Sequence, residues 1–128
     1  MWGSPPFSIP GNCVVDVRNL AAAREWYKEK LGLRESHDRT EDDSGRPFAD
    51  LCISKGDGAF VSLVELEPGA TPGKQHAIFY AKKLEKAHEW LAQRGVTVEP
   101  ITADSGGNQF FRFRDLEGNA IEVCVEPR

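Results

Sequence analysis

Hydrophobic and polar residues alternate along this chain with two different periods, and each period marks a different kind of element. Alternation at every second residue is typical of half-buried strands, whereas an apolar stripe at every third or fourth residue is typical of helices. The pattern predicts helices at residues 20–31 and 84–94 and strands at 13–17, 34–38, 48–54, 59–67, 76–80, 97–101, 109–114 and 120–125. The order of strand, helix and three strands therefore occurs twice.

Both predicted helices have clear boundaries. Asn19 is a suitable N-cap for the first helix, and Gly32 and Gly95 follow the two helices as stop signals. The apolar stripes consist of Leu20, Ala23, Trp26, Tyr27 and Leu31 in the first helix and Leu84, Ala87, Trp90 and Leu91 in the second. These stripes predict that each helix packs one face onto a sheet.

The last strand carries a charge in its middle. Residues 115–119, DLEGN, have the composition of a tight turn, and the strand that follows them places Glu122 on one face among small residues. A carboxylate at such a position is unfavourable unless it is paired, binds a metal, or faces a wet cavity or solvent. Glu122 is therefore a candidate for the functional site.

The second half of the chain repeats the first. Aligning Leu20 with Leu84 superimposes the two helices, and a slightly shorter displacement aligns Glu67-Pro68 with Glu126-Pro127. We expect an N-terminal arm at residues 1–11 and a single domain at 12–128, with module one at about 12–68 and module two at about 75–127. The predicted fold is α+β, with two βαβββ modules forming a curved eight-stranded sheet around a cup-shaped pocket and the helices outside.

The repeat also predicts which residues meet in this pocket. The alignment of the helices places Asn12 on His76, and the alignment of the two Glu-Pro pairs places Leu63 on Glu122. His76 and Glu122 are of the types that bind metals or transfer protons. Asn12 offers only a weak oxygen ligand, and Leu63 offers none. Arg112, in the neighbouring strand, is a candidate partner for an anionic group on a ligand, with a surface position as the alternative.

Composition limits the classes of partner. The formal net charge is −4 and basic residues do not cluster, which argues against nucleic acid and anionic membranes. No apolar run is long enough for a membrane span, and three cysteines without metal-site spacing are typical of a reduced protein. We therefore expect a cytoplasmic protein that acts on a small molecule.

Three segments together resemble a known family. They are VRNLAAAREWYKEKLGL in the first half and QHAIFYAK and FRDLEGNAIEV in the second. They are similar to sequences of the glyoxalase, bleomycin-resistance and extradiol-dioxygenase superfamily, which is also called the vicinal oxygen chelate superfamily. The resemblance covers nearly all of the chain from Asn12 to Val125.

The resemblance implies two βαβββ modules around a pocket, often in a dimer. Metal-dependent members hold a divalent ion with up to four residues, one from the first and the last strand of each module. His76 and Glu122 match the second-module positions, whereas Asn12 and Leu63 depart from the usual ligands. Glu65 is the nearest acid and a further candidate metal ligand. Because of these departures, a standard glyoxalase I is not expected.

Two functions remain open at this point. In the first, the protein binds a small molecule without a complete metal site, as bleomycin-resistance proteins do, with Asn12, Leu63, His76, Glu122 and Arg112 around the ligand. In the second, it is a metal-dependent lyase, isomerase or dioxygenase that acts on a substrate with vicinal oxygens. His76, Glu122 and Glu65 would then weakly hold Zn, Ni, Mn or Fe, and Glu122 would be catalytic. A homodimer is expected in either case.

Overall fold

The computed structural model describes residues 5–37, 39–54, 58–71 and 77–127. Within these ranges the elements follow the predicted order twice. The first module contains β1 (Cys13–Val17), α1 (Leu20–Leu31), β2 (Arg34–Glu35), β3 (Phe48–Cys52) and β4 (Val61–Glu65). The second contains β5 (Ala77–Ala81), α2 (Leu84–Gln93), β6 (Thr102–Ala103), β7 (Gln109–Arg114) and β8 (Ala120–Val125). Most boundaries lie close to the predicted ones.

Each module forms its own four-stranded sheet with one parallel pair. The strand orders are β1-β4-β3-β2 and β5-β8-β7-β6, in which β1 is parallel to β4 and β5 is parallel to β8. Helix α1 packs on β3 and β4, and α2 packs on β7 and β8. The expected α+β class is thereby confirmed. The eight strands divide into two sheets that approach each other at β1 and β5, and the shared curved cup remains a prediction.

The sixth strand is displaced from its predicted position at residues 97–101. Pairing with β7 begins with a bridge between Val98 and Phe113 and a hydrogen bond of 2.8 Å from the Glu99 amide to the Arg112 carbonyl. It resumes in β6, where Thr102 lies opposite Phe110. Thr102 follows Val98 by four positions, whereas Phe113 follows Phe110 by three, so one extra residue beside Pro100 interrupts the regular pairing. The regular strand therefore starts after the proline.

The start and end of α1 follow from two residues in the sequence. The Asn19 side chain accepts a hydrogen bond of 3.0 Å from the Ala22 amide, as expected of an N-cap. Gly32 follows the helix with a φ of 70°, a left-handed conformation that favours glycine. Neither this helix nor any other described one is long and apolar enough to cross a membrane.

The turn at residues 115–119 fastens module two to module one, and we call it the clasp. Asp115 is 7% exposed, and its carboxylate accepts a hydrogen bond of 2.5 Å from the hydroxyl of Tyr27 in α1. Glu117 accepts from the Arg18 and Asn19 amides at 2.6 and 2.9 Å. The Asn119 side chain donates to the Asp16 carbonyl at 3.1 Å. The start of α1 is therefore held by side chains from the far end of the chain.

The described part of the N-terminal arm packs on module two. Ser8 and Tyr80 exchange two backbone hydrogen bonds of 2.7 and 2.9 Å at the free edge of β5. Phe7 is buried, stacks on Phe79 at 5.3 Å between ring centroids, and meets the edge of Trp90 at 5.6 Å. The arm therefore contributes an apolar anchor to the core of the second module.

The clasp can be tested through the Tyr27 hydroxyl. Burial raises the pKa of Tyr27 well above its usual value, and the neighbouring Asp115 adds to the shift. Tyr27→Phe removes one hydrogen bond from a buried carboxylate, and we expect it to lower the free energy of unfolding by about 1 to 3 kcal/mol. Urea denaturation measures this loss. The control is Tyr80→Phe, whose ring lines a cavity. Equal losses in the two variants would contradict the role of the clasp.

Candidate ligand-binding site

The face of the second sheet opposite α2 carries an open pocket of about 470 Å³. Each of its described lining residues belongs to the second half of the chain. The lining consists of Ile78, Tyr80, Asp104, Asn108, Gln109, Phe110, Arg112, Glu122, Cys124, Val125 and Pro127. Residues on the other face of β8, such as Ile121 and Val123, are fully buried against the core. Alternation along the strand therefore separates the pocket from the core.

Glu122 lies in this pocket with both carboxylate oxygens engaged. Its Oε1 accepts from Arg112, which stands opposite it on β7, with both the Nε and the Nη2 contact at 3.2 Å. Its Oε2 accepts a hydrogen bond of 3.0 Å from the Cys124 thiol. The side chain of Glu122 is 17% exposed and that of Arg112 is 51% exposed. The guanidinium of Arg112 is therefore the more accessible of the two charges in the pocket.

Cys124 is held in its protonated form by this arrangement. Burial raises the pKa of its thiol to about 12, and the hydrogen bond to Glu122 contributes to the increase. A thiol with so high a pKa is a poor nucleophile at neutral pH. Cys124 therefore acts here as a hydrogen-bond donor to Glu122.

The rim of the pocket is an ordered turn. Asp104 accepts hydrogen bonds from the amides of Gly106 and Asn108 at 2.8 and 3.0 Å. The bond from the Asn108 amide is the largest cause that lowers the pKa of Asp104, and the Asn108 side chain adds to it. Arg112 stacks on Phe110 below this rim, with its guanidinium carbon 5.1 Å from the ring centroid. Phe110 and Arg112 therefore offer a ligand an aromatic surface beside a cation.

Strand pairing corrects the predicted alignment of the two last strands. Val14 lies opposite Ser62 in the first sheet, and Ile78 lies opposite Glu122 in the second. Since Val14 and Ile78 occupy equivalent positions in β1 and β5, the counterpart of Glu122 is Ser62 and not Leu63. A shift of one residue along a strand moves a side chain to the other face. Leu63 accordingly has no exposed surface and lies in the hydrophobic core.

The other predicted first-module residues have structural partners. The Asn12 side chain accepts a hydrogen bond of 3.1 Å from the Phe60 amide beside the start of β1. Glu65 points to the helix side, where it accepts from the Leu20 amide at 3.1 Å. His76 falls outside the residues that the structure describes. Of the predicted site residues, the structure brings Arg112 and Glu122 together in one pocket.

The family of the chain is decided by a sequence comparison. The model of the Glyoxalase/Bleomycin resistance protein/Dioxygenase superfamily matches residues 10–123, which cover both modules and the pocket strands. The chain belongs to this superfamily. The resemblance found in the sequence is thereby confirmed. No significant match is found among curated proteins.

Several solved structures have the same fold as this chain. An integron cassette protein from the mobile metagenome of a Halifax Harbour sewage outfall is 26% identical, with a TM-score of 0.73 over 91% of this chain and 97% of that one. A superfamily domain from Frankia sp. EAN1pec is 25% identical, with a TM-score of 0.69 over 91% and 95%. TnmS3, an antibiotic binding protein from Streptomyces sp. CB03234, is 21% identical, with a TM-score of 0.72 over 91% and 93%.

The two candidate metal ligands that the structure describes, Glu65 and Glu122, lie in different places, on the helix side of the first sheet and in the pocket of the second. Leu63 is in the core, and Glu65 binds the start of α1. Glu122 lies 3.2 Å from the guanidinium of Arg112, whose positive charge opposes the approach of a divalent ion. In the described part of the chain, no group of three His, Cys, Asp or Glu side chains has the geometry of a metal site.

One polar cluster in the first module was not found from the sequence. Asp50 accepts a hydrogen bond from Ser62 and lies 2.7 Å from Nε2 of His37. The Arg39 amide donates to Nδ1 of the same ring at 3.1 Å, so the hydrogen on His37 lies on Nε2, toward Asp50. Asp50 lies on the face of the first sheet opposite α1, and we call this face of each sheet the open face. Asp50 was not predicted as a site residue because its contact with Ser62 depends on how β3 pairs with β4.

The corrected alignment predicts opposite responses at two adjacent residues. Leu63→Gln places a longer side chain with an unpaired amide in the packed core, and we expect it to lower the free energy of unfolding by about 3 kcal/mol or more. Ser62→Gln replaces the hydroxyl that donates to Asp50 with an amide that can also donate, and we expect a smaller loss of about 1 kcal/mol. Denaturant titration of the two variants measures the difference. A smaller loss for Leu63→Gln would contradict the corrected alignment.

Proposed function

We propose that the protein binds a small polar aromatic molecule on the open face of the second module without the help of a metal ion. The observation that carries the proposal is the Arg112–Glu122 pair at the base of the 470 Å³ pocket. The pair supplies a cation and an acceptor beside apolar walls. Such a combination of a few polar groups with an apolar lining is typical of small-molecule sites.

The two charges can exchange their mutual contact for contacts with a ligand. Arg112 is half exposed and stacks on Phe110, so its guanidinium can reach an anionic or carbonyl oxygen without moving its stem. Glu122 would then keep its hydrogen bond from the Cys124 thiol and accept a second hydrogen bond from a donor on the ligand. A planar ligand with adjacent oxygen and hydroxyl groups matches this pattern.

The cation beside Glu122 favours ligand binding over metal-dependent catalysis. Arg112 neutralises this carboxylate at 3.2 Å and its positive charge repels a divalent ion. The first module offers Ser62 at the position related to Glu122, and a serine hydroxyl is a poor ligand for zinc or nickel. TnmS3, which has a similar fold, is an antibiotic binding protein, and this supports the same class of function here.

Binding can be tested with a planar antibiotic and a matched pair of variants. Doxorubicin fluorescence, titrated against the protein, gives a dissociation constant, and bleomycin serves as a second ligand of different shape. We expect Arg112→Gln to weaken binding at least about tenfold, because a charge-assisted hydrogen bond is lost. Arg114→Gln is the control, since Arg114 donates to the Gly118 carbonyl and does not line the pocket.

Removal of metal separates the two candidate functions. If binding needs no ion, treatment with a chelator leaves both the dissociation constant and the Tm unchanged. A tightly held ion would instead raise the Tm of the untreated protein by several degrees, because ligand binding stabilises the folded state. Metal analysis that finds close to one ion per chain would contradict the proposal. So would equal losses of affinity in Arg112→Gln and Arg114→Gln.

We further propose that the open face of the first module is covered by a second copy of the chain. Val14 is 45% exposed at its position opposite Ser62, which is a large exposure for an apolar side chain in a sheet. A two-fold pair would cover this face in both copies at once. The pockets of the second modules would then be bounded by the partner.

Sedimentation at micromolar concentration tests the dimer. We expect a mass of twice 14.2 kDa for the unmodified chain and a shift toward the monomer for Val14→Glu, which places a charge in the contact. Leu116→Glu is the matched control because Leu116 is a 52% exposed apolar residue in the clasp. A monomer in the unmodified protein would exclude the proposal.

A further inference from the structure

A second cavity lies on another side of module two, between the N-terminal arm and the β5–α2 junction, and we call it the arm cavity. Its volume is about 420 Å³. Its described lining residues are Pro5, Pro6, Phe7, Ser8, Tyr80, Lys82, Lys83, Lys86 and Glu126. The backbone bonds between Ser8 and Tyr80 and the stacking of Phe7 on Phe79 fix the arm in place. The cavity is thus formed by two elements that are held together by the fold.

The charges around the arm cavity are mostly positive. Lys82, Lys83 and Lys86 are all exposed and face one carboxylate, that of Glu126, among the described lining residues. The opposite wall is apolar, since it consists largely of two prolines and a phenylalanine. A cation cluster beside an apolar wall complements a molecule with one anionic group and an apolar body.

The corresponding junction in module one shows where an anionic group belongs. The backbone amides of Arg18, Asn19 and Leu20 are bonded to carboxylates there, at 2.6 and 2.9 Å to Glu117 and at 3.1 Å to Glu65. Two carboxylates therefore occupy the space in front of the first turn of α1. This position is favourable for negative charge because helix amides point toward it.

The junction in module two has similar backbone angles and hydrogen bonds but different side chains. The residues before the two helices have nearly equal backbone angles, at φ −125° and ψ 92° for Asn19 and φ −130° and ψ 104° for Lys83. Matching hydrogen bonds of 2.8 Å, Leu66 to Val17 and Glu126 to Ala81, lie beside them.

The acceptors of module one have no counterpart in the described part of this second junction. Val125 takes the place of Glu65, since Val17 pairs with Glu65 and Ala81 with Val125. Lys83 replaces the capping Asn19 and makes no side-chain cap. Among the described residues, no carboxylate accepts from the amides of Lys82, Lys83 or Leu84.

We propose that the arm cavity binds a small organic anion. Its carboxylate or other anionic group lies at the β5–α2 junction, where the second module lacks the carboxylates of the first, and its apolar body rests against Pro5, Pro6 and Phe7. In module one, Glu117 and Glu65 already bind the amides of the junction. In module two, the lysines attract an anion from outside to the corresponding place. The site differs from the open-face pocket in its lining, apart from Tyr80, which borders both.

The probe for this site is 2-naphthoate, with the neutral 2-naphthamide as the matched compound. Trp90 lies against Phe7 and provides a fluorescence signal close to the cavity. We expect naphthoate to bind at least tenfold more tightly than naphthamide. Lys83→Gln combined with Lys86→Gln should weaken naphthoate binding at least tenfold, because two cations are removed. Arg18→Gln combined with Arg34→Gln removes the same charge from exposed positions elsewhere and should leave binding unchanged.

A second variant tests the comparison between the junctions. Lys83→Asp supplies the missing cap and carboxylate, so we expect it to raise the Tm by a few degrees and to abolish naphthoate binding. Three results would overturn the proposal: equal affinity for naphthoate and naphthamide, unchanged naphthoate binding in the double lysine variant, or no binding in the unmodified protein. Loss of naphthoate binding in Arg112→Gln alone would assign the anion to the open-face pocket and would also overturn it.

Discussion

The buried carboxylate of Asp115 is the point at which the two halves of the chain are tied together. It accepts from the Tyr27 hydroxyl in α1 and, within its own turn, from the amides of Glu117 and Asn119 at 2.9 Å each. A buried carboxylate is strongly unfavourable unless its oxygens are used in this way. Because the partners come from both modules, the turn and the helix stabilise each other only when the modules are docked. The docking of the two modules is therefore coupled to the burial of this carboxylate.

The clasp acts on one side of the molecule and leaves the open face available. Glu117 binds the first turn region of α1 from the helix side, whereas Arg112 and Glu122 lie on the face opposite α2. The contacts that hold the modules together therefore lie apart from the charges in the pocket. The same clasp also makes the two helix junctions unequal. At the junction in module one, the carboxylates of Glu117 and Glu65 bind the amides before α1. At the corresponding junction in module two, lysines surround the amides before α2.

Local patterns are sufficient to predict most of the elements. Residues such as Asn19 and Gly32 determine helix ends through their own conformations, so α1 occurs at the predicted residues. Strand pairing depends on distant residues and is harder to predict. A one-residue change of register beside Pro100 delays the sixth strand, and the cluster of His37, Asp50 and Ser62 depends on the register of β3 and β4. The Arg112–Glu122 contact is within reach of the sequence, since both residues are candidates there on adjacent strands.

The alignment of the two modules shows why a repeat in the sequence does not by itself locate a site. The displacement that superimposes β1 on β5 is longer than the one that relates Asp50 to Arg112, and the displacement from Ser62 to Glu122 is shorter still. Loops of different length separate the strands, so one displacement cannot serve for all of them. An error of a single position exchanges a core leucine for a serine on the open face. With Ser62 in that place, the position related to Glu122 carries a hydroxyl, which can donate or accept a hydrogen bond but is not a usual ligand of zinc.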